Sequence, residues 1–217
     1  MTGDLIPAKV LATHTIANVS ETLAEKLGLP PQYRSIGIIT ADSDDVTYCA
    51  LDEATKAAAV EVVYGRSLYA GAANASTRLA GEVIGILAGP NPAEVQSGLR
   101  ACAEFMDSGV GFRSANEDDS IIYFAHTVSR TGTYLSKTAH VREGEALAYL
   151  IAPPLEAVVG LDEALKASDV ELAALFEPPS ETNFGGGLLT GTQSACDAAA
   201  AAFAEAVKAV ATHPKEV

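Results

Sequence analysis

Tryptophan is absent from this chain of 217 residues, and the remaining aromatics are seven tyrosines and six phenylalanines. With hydrophobic residues at 48%, the core must be built mostly from Ala, Val, Leu and Ile, small side chains that let elements pack closely. Basic residues are scarce too: 14 Lys and Arg stand against 28 Asp and Glu, a net charge of −14 at pH 7. That is the wrong sign for neutralising phosphates, so nucleic acid is not an expected partner. Cysteine is limited to Cys49, Cys102 and Cys196. An odd number of widely separated thiols without a CxxC pair indicates neither a disulfide framework nor a zinc site, and reduced, packed thiols are expected. No run of about 18 apolar residues occurs, and the opening MTGDLIPAKV carries neither a basic n-region nor an apolar h-region. The expectation is a soluble, cytoplasmic protein with no membrane partner.

The common catalytic patterns are missing as well. There is no GxSxG or HExxH, and His14, His126, His140 and His213 do not fall at ligand spacing. GGLLTGT, residues 186–192, resembles half a phosphate loop but lacks the lysine that would reach the phosphates. The acidic run ADSDDV, residues 41–46, fails as a calcium loop: with Asp42 as the first ligand, the sixth place holds Thr47 where the sharp turn needs Gly. No metal, no cofactor and no catalytic residue is expected.

What the chain does have is a repeat. LDEATKAAAVEV begins at residue 51 and LDEALKASDVEL at residue 161, each reading as a helix of about two to three turns with acids in its first turn, passing into a strand. The match extends outward. Val10–Val19 pairs with Ser120–Val128 as a first strand, and Ser35–Ala41 with Glu145–Ile151 as a second. Glu82–Ala88 and Gly186–Gly191 form a fourth, and the last helices are Pro92–Met106 and Gln193–Thr212. Each half therefore reads β-β-α-β-β-α, a circular permutation of the ferredoxin-like order, with helices on one face of a mainly antiparallel sheet. The class is α+β with two tandem modules, 1–112 and 113–217. Their junction lies in the Gly- and acid-rich stretch Ser108–Asp119.

The copies also differ. SETLAEKLG, from Ser20, carries an N-cap candidate and helix formers, whereas the corresponding RTGTYLSKT shows no such pattern. ADSDD aligns with APPLE, so Asp44 and Asp45 have no carboxylate counterparts. The plainer reading of ADSDD is a solvated turn capping the next helix. The functional reading is a pair of carboxylates that hold a cationic amine by charge-assisted hydrogen bonds. YGRSLYAGAANASTRLAGE, residues 64–82, is a long loop whose counterpart LFEPPSETNFGG is shorter and Pro-rich.

The segments ADSDDVTY, LDEATK, VEVVYGRSLYAGA, AGEV, LAGPNPAE, VSRTGTYLS, APPLEA and PPSETN together resemble the ethanolamine-utilisation shell proteins of bacterial microcompartments along nearly the whole chain. The resemblance implies two permuted microcompartment-shell (BMC) domains. It further implies a homotrimer that looks hexagonal and tiles with other shell proteins, a gated central pore, and small pores in each subunit that bind ethanolamine. Carried over residue by residue, Asp44, Asp45 and Glu82 would face the amine, with Phe112 and Thr182 lining the passage. Tyr64–Thr77 and Phe176–Asn183 would be mobile central loops, with Arg66, Tyr69, Ala70, Gly71, Glu177 and Glu181 at the opening and Tyr69 as its plug. The role so implied is structural and conformational, not enzymatic. A small-molecule sensor built from paired ferredoxin-like modules is the alternative, distinguished by whether the protein tiles into sheets.

Overall fold

The apolar residues of residues 35–41 and 83–89 occupy consecutive positions rather than alternate ones, the signature of strands covered on both faces. The computed structural model, which describes residues 1–68, 77–178, 180 and 182–215, bears this out. In chain order the elements are β1 (Leu5–Pro7), β2 (Val10–Ile16), α1 (Glu21–Lys26), β3 (Ser35–Ala41), α2 (Asp44–Ala57), β4 (Glu61–Ser67), β5 (Val83–Gly89), α3 (Pro92–Asp107), β6 (Gly111–Ser114), β7 (Ile122–Val128), α4 (Thr133–Ala139), β8 (Ala146–Ala152), α5 (Pro154–Ala167), β9 (Val170–Phe176), β10 (Gly185–Gly191) and α6 (Gln193–Thr212).

The chain divides into two compact units. One comprises Ala8–Val110 with Gly132–Leu135; the other comprises Met1–Pro7, Gly111–Thr131 and the chain from Ser136. In the first, four strands run in the order β2-β3-β5-β4, all antiparallel. Gly37, Gly85 and Leu87 face Val95, Leu99, Leu51 and Gly98 of the long helices α2 and α3. Ile36, Ile86 and Ala88 point the other way and pack with Val19, Ala24 and Leu27 around α1. The expectation of helices on a single face thus holds for α2 and α3 and is corrected for α1, whose apolar residues cover the opposite face.

In the second unit six strands run β1-β6-β7-β8-β10-β9. Ala146, Ala148, Leu150 and Ala152 of β8 pack against Ala157, Leu161 and Ala164 of α5 and against Cys196, Ala199 and Phe203 of α6. Met1–Pro7 precedes the first repeat in sequence, yet its short strand β1 pairs with β6.

Three local expectations are corrected. The repeated helices are longer than read: α2 and α5 each span 14 residues, so the last two residues of ADSDD, Asp44 and Asp45, belong to the helix's first turn and not to a turn ahead of it. Asp52 and Glu53, expected in a first turn, accordingly sit mid-helix. RTGTYLSKT, read as having no helical pattern, forms α4. Its first N–H groups are served by side chains distant in sequence, so no local cap was there to be seen: Gly132 N donates to Asp52 Oδ2 at 2.7 Å and Leu135 N to Asp52 Oδ1 at 2.8 Å. Finally, Tyr64 to Ser67 are not loop but the end of β4, paired with Ile86 to Val83 of β5.

Candidate functional site

The acidic run stands where β3 ends and α2 begins. Asp42, the first acid, is structural: its Oδ1 accepts the Lys9 N–H at 2.6 Å. Ser43 is the N-cap residue in extended backbone, but its side chain does not cap the helix, and its Oγ is buried with no hydrogen-bond partner among the described residues. Asp44 and Asp45 form the first turn of α2, where the helix dipole favours negative charge. Asp45 is 8% exposed, whereas Asp44 is half-buried. The solvated-turn reading therefore fails for Asp45.

Asp44 heads a short relay. Its Oδ1 accepts from Asp45 N at 2.9 Å and its Oδ2 from Ser67 Oγ at 2.8 Å. Ser67 Oγ also lies 2.8 Å from Tyr48 OH. Because an ionised carboxylate only accepts, the serine proton points at Asp44 and the tyrosine donates to the serine. Ser43, Ser67 and Tyr48 were not anticipated. Tyr48 lies four residues past Asp44, on the same helical face, the one signal that could have found it; Ser67 reaches Asp44 only because β4 is a strand.

Glu82 belongs to the same end of the sheet. Its N–H donates to Ala41 O at 2.8 Å and its carbonyl accepts from Leu68 N at 2.7 Å, which places it between the end of β3 and the end of β4; its side chain is exposed. Three carboxylates predicted from sequence, Asp44, Asp45 and Glu82, are thereby gathered at one sheet end. Tyr69, Ala70 and Gly71, expected at a central opening, lie outside the described residues, as does Glu181. Arg66 is exposed on β4 rather than in a loop, its guanidinium carbon 6.0 Å from the centroid of the Tyr64 ring.

Phe112 and Thr182 are in the six-stranded unit. Phe112, on β6, stacks at a tilt on Phe124 at 5.4 Å and edge-on against Phe184 at 6.0 Å. Thr182 Oγ1 accepts from Phe184 N at 3.3 Å, so both residues converge on Phe184. Glu177 is exposed just beyond β9.

A carboxylate with two hydroxyls beside it can accept N–H bonds from a small cation and trade hydroxyl contacts. Among the described residues no group of three His, Cys, Asp or Glu is placed to hold a metal ion, and no helix is long and apolar enough to cross a membrane.

Comparison with known proteins assigns this architecture. The BMC domain family model matches residues 35–115. The chain is 69% identical to the bacterial microcompartment shell protein EutL of Clostridium perfringens, over 99% of both chains. It is 55% identical to EutL of Escherichia coli, over 97% of this chain and 96% of that one. The crystal structure of the ethanolamine utilization protein EutL from Leptotrichia buccalis matches with a TM-score of 0.97 at 67% identity, covering 100% of each chain. A double antiparallel architecture of this kind, shared over full length at such identity, has one assignment: the chain belongs to the EutL family of bacterial microcompartment shell proteins, built from tandem BMC domains, and is a structural component of the microcompartment shell.

Proposed function

We propose that the chain assembles in the cytoplasm as a homotrimer that looks hexagonal, tiles with other shell proteins, and passes ethanolamine under the control of a gated central pore, with small pores that bind the amine. Its work is conformational and not enzymatic. The observation that carries the ethanolamine reading is the half-buried Asp44 carboxylate, oriented by the Ser67 hydroxyl and the Asp45 N–H. Asp45 and Glu82 stand at the same sheet end. Ethanolamine is cationic at neutral pH and carries one hydroxyl, so carboxylates and hydroxyls side by side match both of its ends, and an acidic mouth attracts it while discouraging anions. Ligand binding shifts the pore equilibrium only by the difference in affinity between its two states.

Titration calorimetry with ethanolamine tests the site. Asp44→Ala, Asp45→Ala and Glu82→Ala should each leave assembly intact, and loss of a charge-assisted hydrogen bond worth about 1.5–3 kcal/mol should weaken binding roughly tenfold to a hundredfold in at least one. Wild-type affinity in all three variants removes the assignment.

A further inference from the structure

Residues 78–82 form a turn laid against the end of β3. Thr40 Oγ1 donates to Leu79 O at 2.6 Å, Ala80 N to Thr77 O at 3.0 Å, and Glu82 N to Ala41 O at 2.8 Å. Within this turn lies Gly81, with φ at +63°. That angle alone would admit asparagine or aspartate, which visit the left-handed region. The surroundings admit neither: a Cβ on Gly81 would stand 2.1 Å from Ala41 O and 2.6 Å from Leu11 Cδ1. A leucine methyl can swing away, but Ala41 belongs to a strand paired on both sides and is 0% exposed.

Leu11 reaches Gly81 because β2 is bulged there. The register steps from Val10 opposite Ala41 to Ala12 opposite Thr40, leaving Leu11 as the extra residue, and a bulge of this kind re-aims its side chain. Asp42 closes the same corner: its N–H donates to Lys9 O at 3.2 Å while its Oδ1 accepts the Lys9 N–H. The oxygen that a methyl at position 81 would strike is also the acceptor that holds Glu82, and Ala41 lies three residues ahead of Asp44, the first residue of α2. The spacing between Glu82 and the two aspartates is therefore set at Ala41 O, and the missing side chain of Gly81 lets the two backbones come that close.

From this we infer that Gly81 is a positioning residue for amine binding: by letting residues 78–82 dock on the end of β3, it sets the place of the Glu82 carboxylate beside Asp44 and Asp45. The inference rests on the reading of Glu82 as an amine-facing acid and adds what holds it there. An exposed side chain such as that of Glu82 takes its place from its backbone, so a displaced peptide displaces the charge. Relieving a contact of 2.1 Å to an ordinary carbon–oxygen separation of about 3.3 Å moves the peptide by roughly 1 Å. A charge-assisted hydrogen bond keeps its strength only at about 2.7–2.9 Å between nitrogen and oxygen, and such a shift breaks it.

A double-mutant cycle decides it, with ethanolamine binding to the full chain measured by titration calorimetry and folding checked by far-UV spectra. Gly81→Ala should weaken binding about tenfold, the loss of one charge-assisted hydrogen bond. In the Glu82→Ala background the same change should add less than about twofold, because the glycine acts through that carboxylate. A glycine with only a structural role would weaken binding equally in both backgrounds. Wild-type affinity in folded Gly81→Ala, or losses that multiply in the double variant, overturns the inference. If Gly81→Ala does not fold, Thr40→Val takes its place, removing the hydroxyl that holds Leu79 O without adding bulk. It should weaken binding about threefold where Glu82 is present and leave Glu82→Ala unchanged; wild-type affinity in Thr40→Val overturns the inference. If Glu82→Ala itself binds ethanolamine as the wild type does, Glu82 leaves the site and this inference falls with it, while Asp44 and Asp45 stand or fall on their own variants.

Discussion

Asp52 and Asp162 occupy the same place in a repeated helix and have opposite fates. Asp162 is exposed beside Lys166 and Glu163, an arrangement worth little in solvent. Asp52 is 0% exposed, receives two backbone N–H bonds, and has Lys56 Nζ at 3.6 Å. Burial raises its pKa above the ordinary carboxylate value, against the opposing pull of the Gly132 and Leu135 N–H groups and of Lys56. A raised folded pKa means that the folded state binds the proton more tightly than the unfolded chain. The stabilisation linked to that proton is complete below the unfolded value and is lost as pH rises through the folded one. In urea unfolding across this window, Asp52→Asn should abolish that part of the slope. Asp52→Ala, which leaves two buried N–H groups without an acceptor, should cost about 2–3 kcal/mol. An Asp52→Ala protein as stable as wild type would show that the cap contributes nothing.

At the scale of elements, the repeat is kept in backbone and varied in packing. Where α5 crosses α6, Gly160 makes room for Phe203: a Cβ on Gly160 would stand 2.6 Å from the ring. The position of Gly160 in the first copy is Ala50, and there the crossing is filled by Cys102, whose Sγ donates to Ala50 O at 3.3 Å. One junction pairs a large residue with none, the other two small residues, and the helices approach in both. Gly160→Ala sets a helix-propensity gain of about 1 kcal/mol against an overpacking cost of about 1–3 kcal/mol. With Phe203 fully buried and unable to swing away, overpacking wins, and thermal unfolding should show a net loss of up to about 2 kcal/mol. Gly160→Ala with Phe203→Leu should recover most of it. The boundaries of β3 and α6 were legible from sequence to the residue, because a continuous apolar run and a Thr-capped Ala-rich stretch are local signals. The start of α2 was not, since three aspartates in five residues look the same in a turn and in a first turn.

Across the whole molecule, the three thiols report on both units. Burial pushes Cys102 up to about 12 and raises Cys49 and Cys196 as well, so neither thiolate nor reagent is available in the folded state. Alkylation near pH 8 should be slow in native protein and rapid in denaturant. Cys49 and Cys102, in one unit, should react together, and rapid native labelling of either would contradict their burial.

Hydrophobic pattern, the absent motifs and the repeat, all properties of neighbours along the chain, were enough to establish the α+β class, the doubled module and the acids that set one copy apart. Asp44, Asp45 and Glu82 could be named as candidates for the same reason: the copies disagree there. Contacts between residues remote in sequence could not be read in this way. The Ser67 and Tyr48 relay to Asp44, the cap that Asp52 provides to α4 and the pairing of β1 with β6 depend on which backbones meet across a sheet or beneath a turn, and only folding decides that. The same distinction separates LDEATK from LDEALK: nearly identical letters make one helix a covered support and the other an open face, because burial belongs to the neighbours a residue acquires.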